Sequence, residues 1–306
     1  MDCSPNSRGL RDICRGKNLN LKLMVPFNRR CCGSSYGWLA FAMNDLSIIL
    51  FNPFTGRKLK LPSLGVKPRY KSQYFVMKVI LSSNPSLDPK NFEAAAIYGG
   101  MNRVAHIKSG QEAWTTLPGK FKGNTFPIVA ADVIYHQNLI YFVDHYKQIL
   151  SASSAMNRWR MEKKRTNDVC HFAYLVESSR GELYMIRRFL SYESSEEEDE
   201  EPVGKTLKFE VYKMENSQLK AVNELEGDAF FLGDNQSMAV VASDFPGCRP
   251  NCIYSTDDYI LFYYRKGPFD MGIYNLKDGS FEMHYEPKPD LHKTMPPPIW
   301  ITPTPK

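Results

Sequence analysis

Two stretches 223 residues apart carry the same punctuation. Residues 50–62 read LFNPFTGRKLKLP and residues 271–283 read MGIYNLKDGSFEM. In each, an aromatic residue and an asparagine are followed by three residues and a glycine: Phe51-Asn52 with Gly56, and Tyr274-Asn275 with Gly279. The run Ile48-Ile49-Leu50-Phe51 suits a strand buried on both faces. Pro53 fixes its own φ and cannot donate to a ladder, so that strand must end near Asn52. Gly56 can take the positive φ that closes a tight connection. Beyond it Leu59 and Leu61 alternate with Lys58 and Lys60, giving one apolar and one charged face, and Pro62 ends the run. Each stretch reads as a β-hairpin.

Looser relatives lie between them. YLVESSRGELYMI at 174–186 turns at Gly181, VIYHQNLIYFVD at 133–144 turns at Gln137-Asn138, and FEVYKMENSQLKAV at 209–222 turns around Glu215-Asn216-Ser217. Helical periodicity is nowhere sustained for three turns. The 13% aromatic content suits pleated, half-buried surfaces. The hairpins recur at irregular intervals of roughly 35 to 50 residues, the range of propeller blades, each a four-stranded antiparallel sheet. About 22 strand-like runs make five or six such blades with little helix. The expected fold is therefore an all-β propeller over 22–303, preceded by an irregular segment over 1–21. The competing all-β arrangements are a large sandwich or two smaller β domains.

The longest apolar stretch, FPIVAADVIYH at 126–136, is interrupted by Asp132, so no membrane span is expected. The N-terminus lacks the apolar block of a secretory signal. Arg8, Arg11 and Arg15 fit a transit peptide, against which Asp2 and Asp12 count. Seven cysteines without an export signal read as reduced thiols in the cytoplasm or nucleus. Net charge is +6, but ESSEEEDEE at 193–201 holds seven acids, leaving a body of +13. Such a run reads as a disordered acidic insertion over 191–204. Within it Ser194 and Ser195 each have an acid three residues downstream, which suits acid-directed kinases.

No catalytic, cofactor or metal site is expected. Gly33-Ser34-Ser35-Tyr36-Gly37 satisfies G-x-S-x-G, the basis for an alternative reading as a hydrolase using Ser35. That elbow needs a strand-to-helix turn, whereas WLAFAMNDLSIILF follows as strand, turn and strand. Cys31-Cys32 and Cys248-x3-Cys252 are a poor match to zinc knuckles and read as small buried hydrophobes. The six histidines are scattered, and no phosphate-cradling loop is visible. Arg158, Arg160, Lys163, Lys164 and Arg165, with Trp159 among them, form a basic patch that suits nuclear import or nucleic acid. A solvated loop is the favoured reading of that patch.

Several blocks resemble one plant family: RRCCGSSYGWL at 29–39, LFNPFTGRKLKLP, DVIYH at 132–136, YLVESSRGELYMIRR at 174–188, DAFFLGDNQSMAV at 228–240, DFPGCRPNCIYSTDD at 244–258, MGIYNLKDG at 271–279 and PPPIWITP at 296–303. In this order the chain is similar to the plant F-box-associated β-propeller family, also called domain of unknown function 295, with kelch-like blades. The resemblance implies a non-enzymatic interaction scaffold that presents a protein partner or ubiquitination substrate to a cullin-type ligase. Such propellers usually follow an F-box. The 28 residues before Arg29 include Pro5 and Gly9 and lack its leucine-rich helical pattern, so direct docking on the ligase adaptor is not expected of this segment.

Overall fold

The computed structural model describes residues 8–23, 29–67, 75–121, 124–127, 129–144, 146–152, 159–162, 170–192, 204–256, 270–283 and 298–301. Strands dominate it, grouped in five larger sheets and two two-stranded ones, with a 3-10 turn at Ala242–Asp244. The chain divides into two compact units: Met1–Leu10, Asn20–Arg165 and Ile299–Lys306 in one, Arg11–Leu19 and Thr166–Pro298 in the other.

The first unit holds three four-stranded antiparallel sheets, each laid down in chain order. The first is Cys31–Ser35, Trp38–Ala42, Ser47–Phe51 and Lys58–Ser63; the second is Val76–Leu81, Glu93–Tyr98, Arg103–Lys108 and Thr115–Thr116; the third is Ala130–His136, Leu139–Asp144, Ile149–Ala152 and Trp159–Glu162. Tight turns make this meander. Gln137 and Asn138 both have positive φ, the geometry that matches hairpin twist. Trp38–Ala42 is buried at every position, because both faces of the strand are covered. One core joins Trp38, Ile48 and Leu50 to Val76, Val79 and Ala96; a second joins Ile97 and Val104 to Val133 and Phe142.

In the second unit the fourth sheet is Phe172–Glu177, Leu183–Tyr192, Gly204–Glu215 and Gln218–Val222. Its middle strands pair from Tyr184 with Lys213 out to Tyr192 with Gly204, whereas its outer strands reach only Arg188 and Val211. A two-stranded ribbon therefore extends past the sheet. Ser191, Tyr192 and Gly204 belong to it, so ordered strand takes in both ends of the segment expected as a disordered insertion. The fifth sheet has five strands, in the order Ser237–Val241, Asp228–Leu232, Cys252–Ser255, Gly272–Asn275 and Phe281–Met283. Asp228–Leu232 and Cys252–Ser255 run parallel, a departure from the all-antiparallel blade.

Within the segment expected to be irregular, Arg8–Asp12 and Lys17–Leu23 form a two-stranded sheet. Four turn residues, Ile13 to Gly16, join them, and Gly16 has the positive φ that closes the turn.

Candidate functional site

In the first unit the sheets are stacked through their first strands. Arg30, buried, donates from Nη1 to the Val76 carbonyl at 2.8 Å and from Nη2 to Met77 at 2.7 Å. Leu81 N–H donates to Ser35 Oγ, and the Tyr36 hydroxyl donates to the Ser82 carbonyl. A Cβ on Gly33 would stand 2.1 Å from the Val79 carbonyl oxygen, so only glycine permits this approach. Arg30 with Val76, Gly33 with Val79, Ser35 with Leu81 and Tyr36 with Ser82 share one offset of 46 residues. The two strands therefore run in parallel and in step. The next junction is ionic: Lys78 Nζ meets Asp132 Oδ1, both buried.

A bulge marks the start of each of these strands, between Cys31 and Gly33, Val76 and Lys78, and Ala130 and Asp132. The extra residue re-aims its neighbours. Lys78 and Asp132 each follow a bulge, and Arg30 reaches the carbonyls at the second one. Asp132, which broke the longest apolar stretch, is thus the anion of a buried pair.

The second unit places its buried charge on the second strand of the fourth sheet. Arg188 donates to Thr206 Oγ1, to the carbonyls of Thr256 and Asp270, and to Asp270 Oδ2 at 2.8 Å. Its neighbour Arg187, fully buried, lies 3.5 Å from Glu210 and over the Phe189 ring.

In a meander the first and third turns fall at one end and the second turn at the other. In the first unit one end exposes Tyr36, Phe54 and Leu87, the last by 85%. The other exposes Met101 and Tyr146, and on the first sheet it carries a shallow recess lined by Arg29, Asn44, Asp45 and Lys60. Hydrogen bonds from the Ser47 hydroxyl and amide hold Asp45 below the usual carboxylate range, so it is ionised facing Lys60 at 4.0 Å. These ends offer exposed rings, aliphatic chains and charge on rigid sheets. That is equipment for binding.

The G-x-S-x-G segment is strand, turn and strand. Ser35 closes Cys31–Ser35, Tyr36 and Gly37 take positive φ, and Trp38 opens the next strand. Ser35 Oγ accepts an amide hydrogen bond, and no helix follows to build an elbow. Burial pushes the His106 imidazole down, so it is neutral at physiological pH. Among the described residues, no three His, Cys, Asp or Glu side chains are placed to share an ion. Cys31, Cys32 and Cys252 are buried, whereas Cys248 is half-buried and meets Cys14, a partner no local spacing could suggest. Arg160 lies on the last strand of the third sheet. Arg158, Lys163, Lys164, Arg165, Ser194 and Ser195 lie outside the described residues.

Stacked four-stranded meanders with first strands in step are propeller blades, and the protein is of the β-propeller class. The chain belongs to the KIB1-4 beta-propeller family, whose model matches residues 12–275. It is 25% identical over 229 residues to the F-box protein SKIP23 of Arabidopsis thaliana, covering 65% of this chain and 51% of that one. It is also 25% identical over 165 residues to the F-box protein At4g35733 of the same plant, covering 51% and 44%. The chain thus spans about half the length of these relatives. A crystal structure of RRP9 WD40 repeats matches 91% of this chain and 66% of its own at 13% identity, with a TM-score of 0.41.

Proposed function

We propose that this chain is a non-enzymatic recognition propeller of the plant F-box-associated, kelch-like kind, which holds a protein for ubiquitination by a cullin-type ligase. The observation that carries the reading is family membership over 12–275 together with relatives that are F-box proteins. The exposed Tyr36, Phe54 and Leu87 at one end of the first unit, and Met101 and Tyr146 at the other, support it. Tyrosine is enriched among the anchors of protein interfaces, and phenylalanine and methionine are enriched at interfaces as a whole. On this reading the protein works in the cytoplasm or nucleus.

Affinity purification from plant cells followed by mass spectrometry tests it. A reproducible protein partner, accompanied by ligase components, is expected. Paired substitutions then assign the end: Tyr36→Ala with Leu87→Asp, against Met101→Asp with Tyr146→Ala. One pair should abolish capture and the other leave it intact. Recovery of neither partner nor ligase component would overturn the proposal, as would Ser35-dependent labelling by a fluorophosphonate probe.

A further inference from the structure

The second unit brings two thiols together from opposite ends of the chain. Cys14 lies in the turn between Arg8–Asp12 and Lys17–Leu23, and Cys248 lies in the loop after Ala242–Asp244. Gly247 makes the meeting feasible. Its φ is +88°, and a Cβ there would stand 2.5 Å from the Cys14 carbonyl oxygen. The loop backbone therefore lies directly against the hairpin turn, and the next side chain, Cys248, hydrogen-bonds the Cys14 thiol. Both thiols are half-buried, while Cys31, Cys32, Cys170 and Cys252 are buried.

We propose that Cys14 and Cys248 form a peroxide-oxidisable pair whose disulfide latches the N-terminal hairpin turn to the Phe245–Asn251 loop.

The two sulfurs have unequal roles. The hydrogen bond from Cys14 holds the Cys248 thiol below its usual range, and the Tyr254 hydroxyl adds a second. The same shared proton pushes Cys14 well up, with burial acting in the same sense. Asp12 opposes ionisation of both. Cys248, the more readily ionised of the two, is therefore the attacking atom, and Cys14 resolves. Cys248 Sγ attacks one oxygen of hydrogen peroxide; the S–O bond forms, the O–O bond breaks, and the departing hydroxide takes a proton to become water. Cys14 Sγ then attacks Cys248 Sγ; the S–S bond forms, the S–O bond breaks, and hydroxide leaves with the Cys14 proton as a second water. The two thiols lose two electrons to the peroxide, and the equation balances. Fastening a turn near the chain start to a loop 234 residues on removes freedom from the unfolded chain, so oxidised protein should melt higher than reduced.

The test uses wild-type protein, treated with hydrogen peroxide at one equivalent or left reduced. Non-reducing tryptic mapping should show the 12–15 peptide joined to the one bearing Cys248, with fragmentation placing the bond at Cys248 rather than Cys252. The intact mass should fall by the two hydrogens lost. Reaction should run about ten-fold or more faster than oxidation of Cys252, as thiolate character and exposure dictate. Cys14→Ser should stop at a sulfenic acid on Cys248 that dimedone traps, and Cys252→Ser should leave the bond unchanged. A bond to Cys252, no bond, or oxidation no faster than at the buried thiols would overturn the pair. Equal melting of oxidised and reduced protein would overturn the latch.

Discussion

The three sheets of the first unit and the two of the second solve one problem differently. Each must bury charge where strands meet. In the first unit the work is divided: Arg30 donates to the Val76 and Met77 carbonyls, while Lys78 pairs with Asp132, whose Oδ1 also accepts the Val133 amide, at bulges that open the first strands of successive sheets. In the second unit Arg188 gathers acceptors on both sides of residues 257–269: the Thr256 carbonyl before them, and the Asp270 carbonyl and carboxylate after. A pair can be replaced by apolar side chains of similar volume. A guanidinium that satisfies backbone carbonyls has no such substitute, because those carbonyls stay buried and polar.

The largest effect should expose that difference. Arg188→Ala leaves Asp270 buried without its cation and is expected to cost about 3–5 kcal/mol in urea unfolding. Lys78→Met alone should cost a similar amount, since Asp132 is left buried without its cation. The second substitutions separate them. Adding Asp132→Leu to Lys78→Met should recover the loss except for the one Val133 amide that Asp132 accepts, whereas adding Asp270→Leu to Arg188→Met should not recover it. Equal recovery in both would show that Arg188, too, is only half of a pair.

A smaller effect concerns the two turns whose sequences echo each other. Their backbone hydrogen bonds match. Gly56 N–H donates to the Asn52 carbonyl and Gly279 N–H to that of Asn275, at 2.8 and 2.9 Å, and both glycines have φ of 72°. The Asn52 side chain accepts from Phe54 and Thr55, and that of Asn275 from Lys277. Asn52 is fully buried and Asn275 half-buried. Asn52→Ala should therefore cost about 1–2 kcal/mol, since it strands two partly buried amides, and Asn275→Ala about 0.5–1 kcal/mol. Chemical denaturation of the two variants checks the order, and a reversed order would mean that burial does not set the cost.

These turns also show what was legible in the sequence. Gly181, Gln137-Asn138 and Asn216-Ser217 all turn where the local pattern requires, because positive φ is a demand that a few residues meet. The blades follow from the turns. What sequence could not show lies at long range. Lys78 and Asp132 are 54 residues apart, Arg188 and Asp270 are 82 apart, and nothing in their neighbourhoods marks them as partners. The bulges likewise leave no local trace, since each is a mismatch between two strands. In the hairpin over 8–23, RGLRD is mostly polar and carries no strand signal, whereas KNLNLKL sets Leu19, Leu21 and Leu23 in strict alternation with polar neighbours, which is legible as a strand. The exposed ends are hidden in the sequence for a related reason: the turns that carry Tyr36, Phe54 and Leu87 fall at one end only because the first strands of the two sheets run in parallel.

The smallest effect separates the echoing turns by charge. At equivalent positions Arg57 N–H donates to the neutral Thr55 hydroxyl, and Ser280 N–H to the Asp278 carboxylate. Hydrogen bonds from the Ser280 hydroxyl and then its amide hold Asp278 below its ordinary value of 3.8. A carboxyl depressed on folding contributes stability that is complete above its unfolded value and is lost as pH falls through the folded one. The second turn should therefore loosen in acid, below about pH 4, and the first should not. In an acid titration followed by NMR, the Ser280 amide should shift with a midpoint under 3.8 while the Arg57 amide stays still. Asp278→Thr should abolish the Ser280 titration and leave the turn's fold intact. A midpoint at or above 3.8, or an Arg57 amide that moves in step, would show that the carboxylate adds nothing that the Thr55 hydroxyl does not already supply.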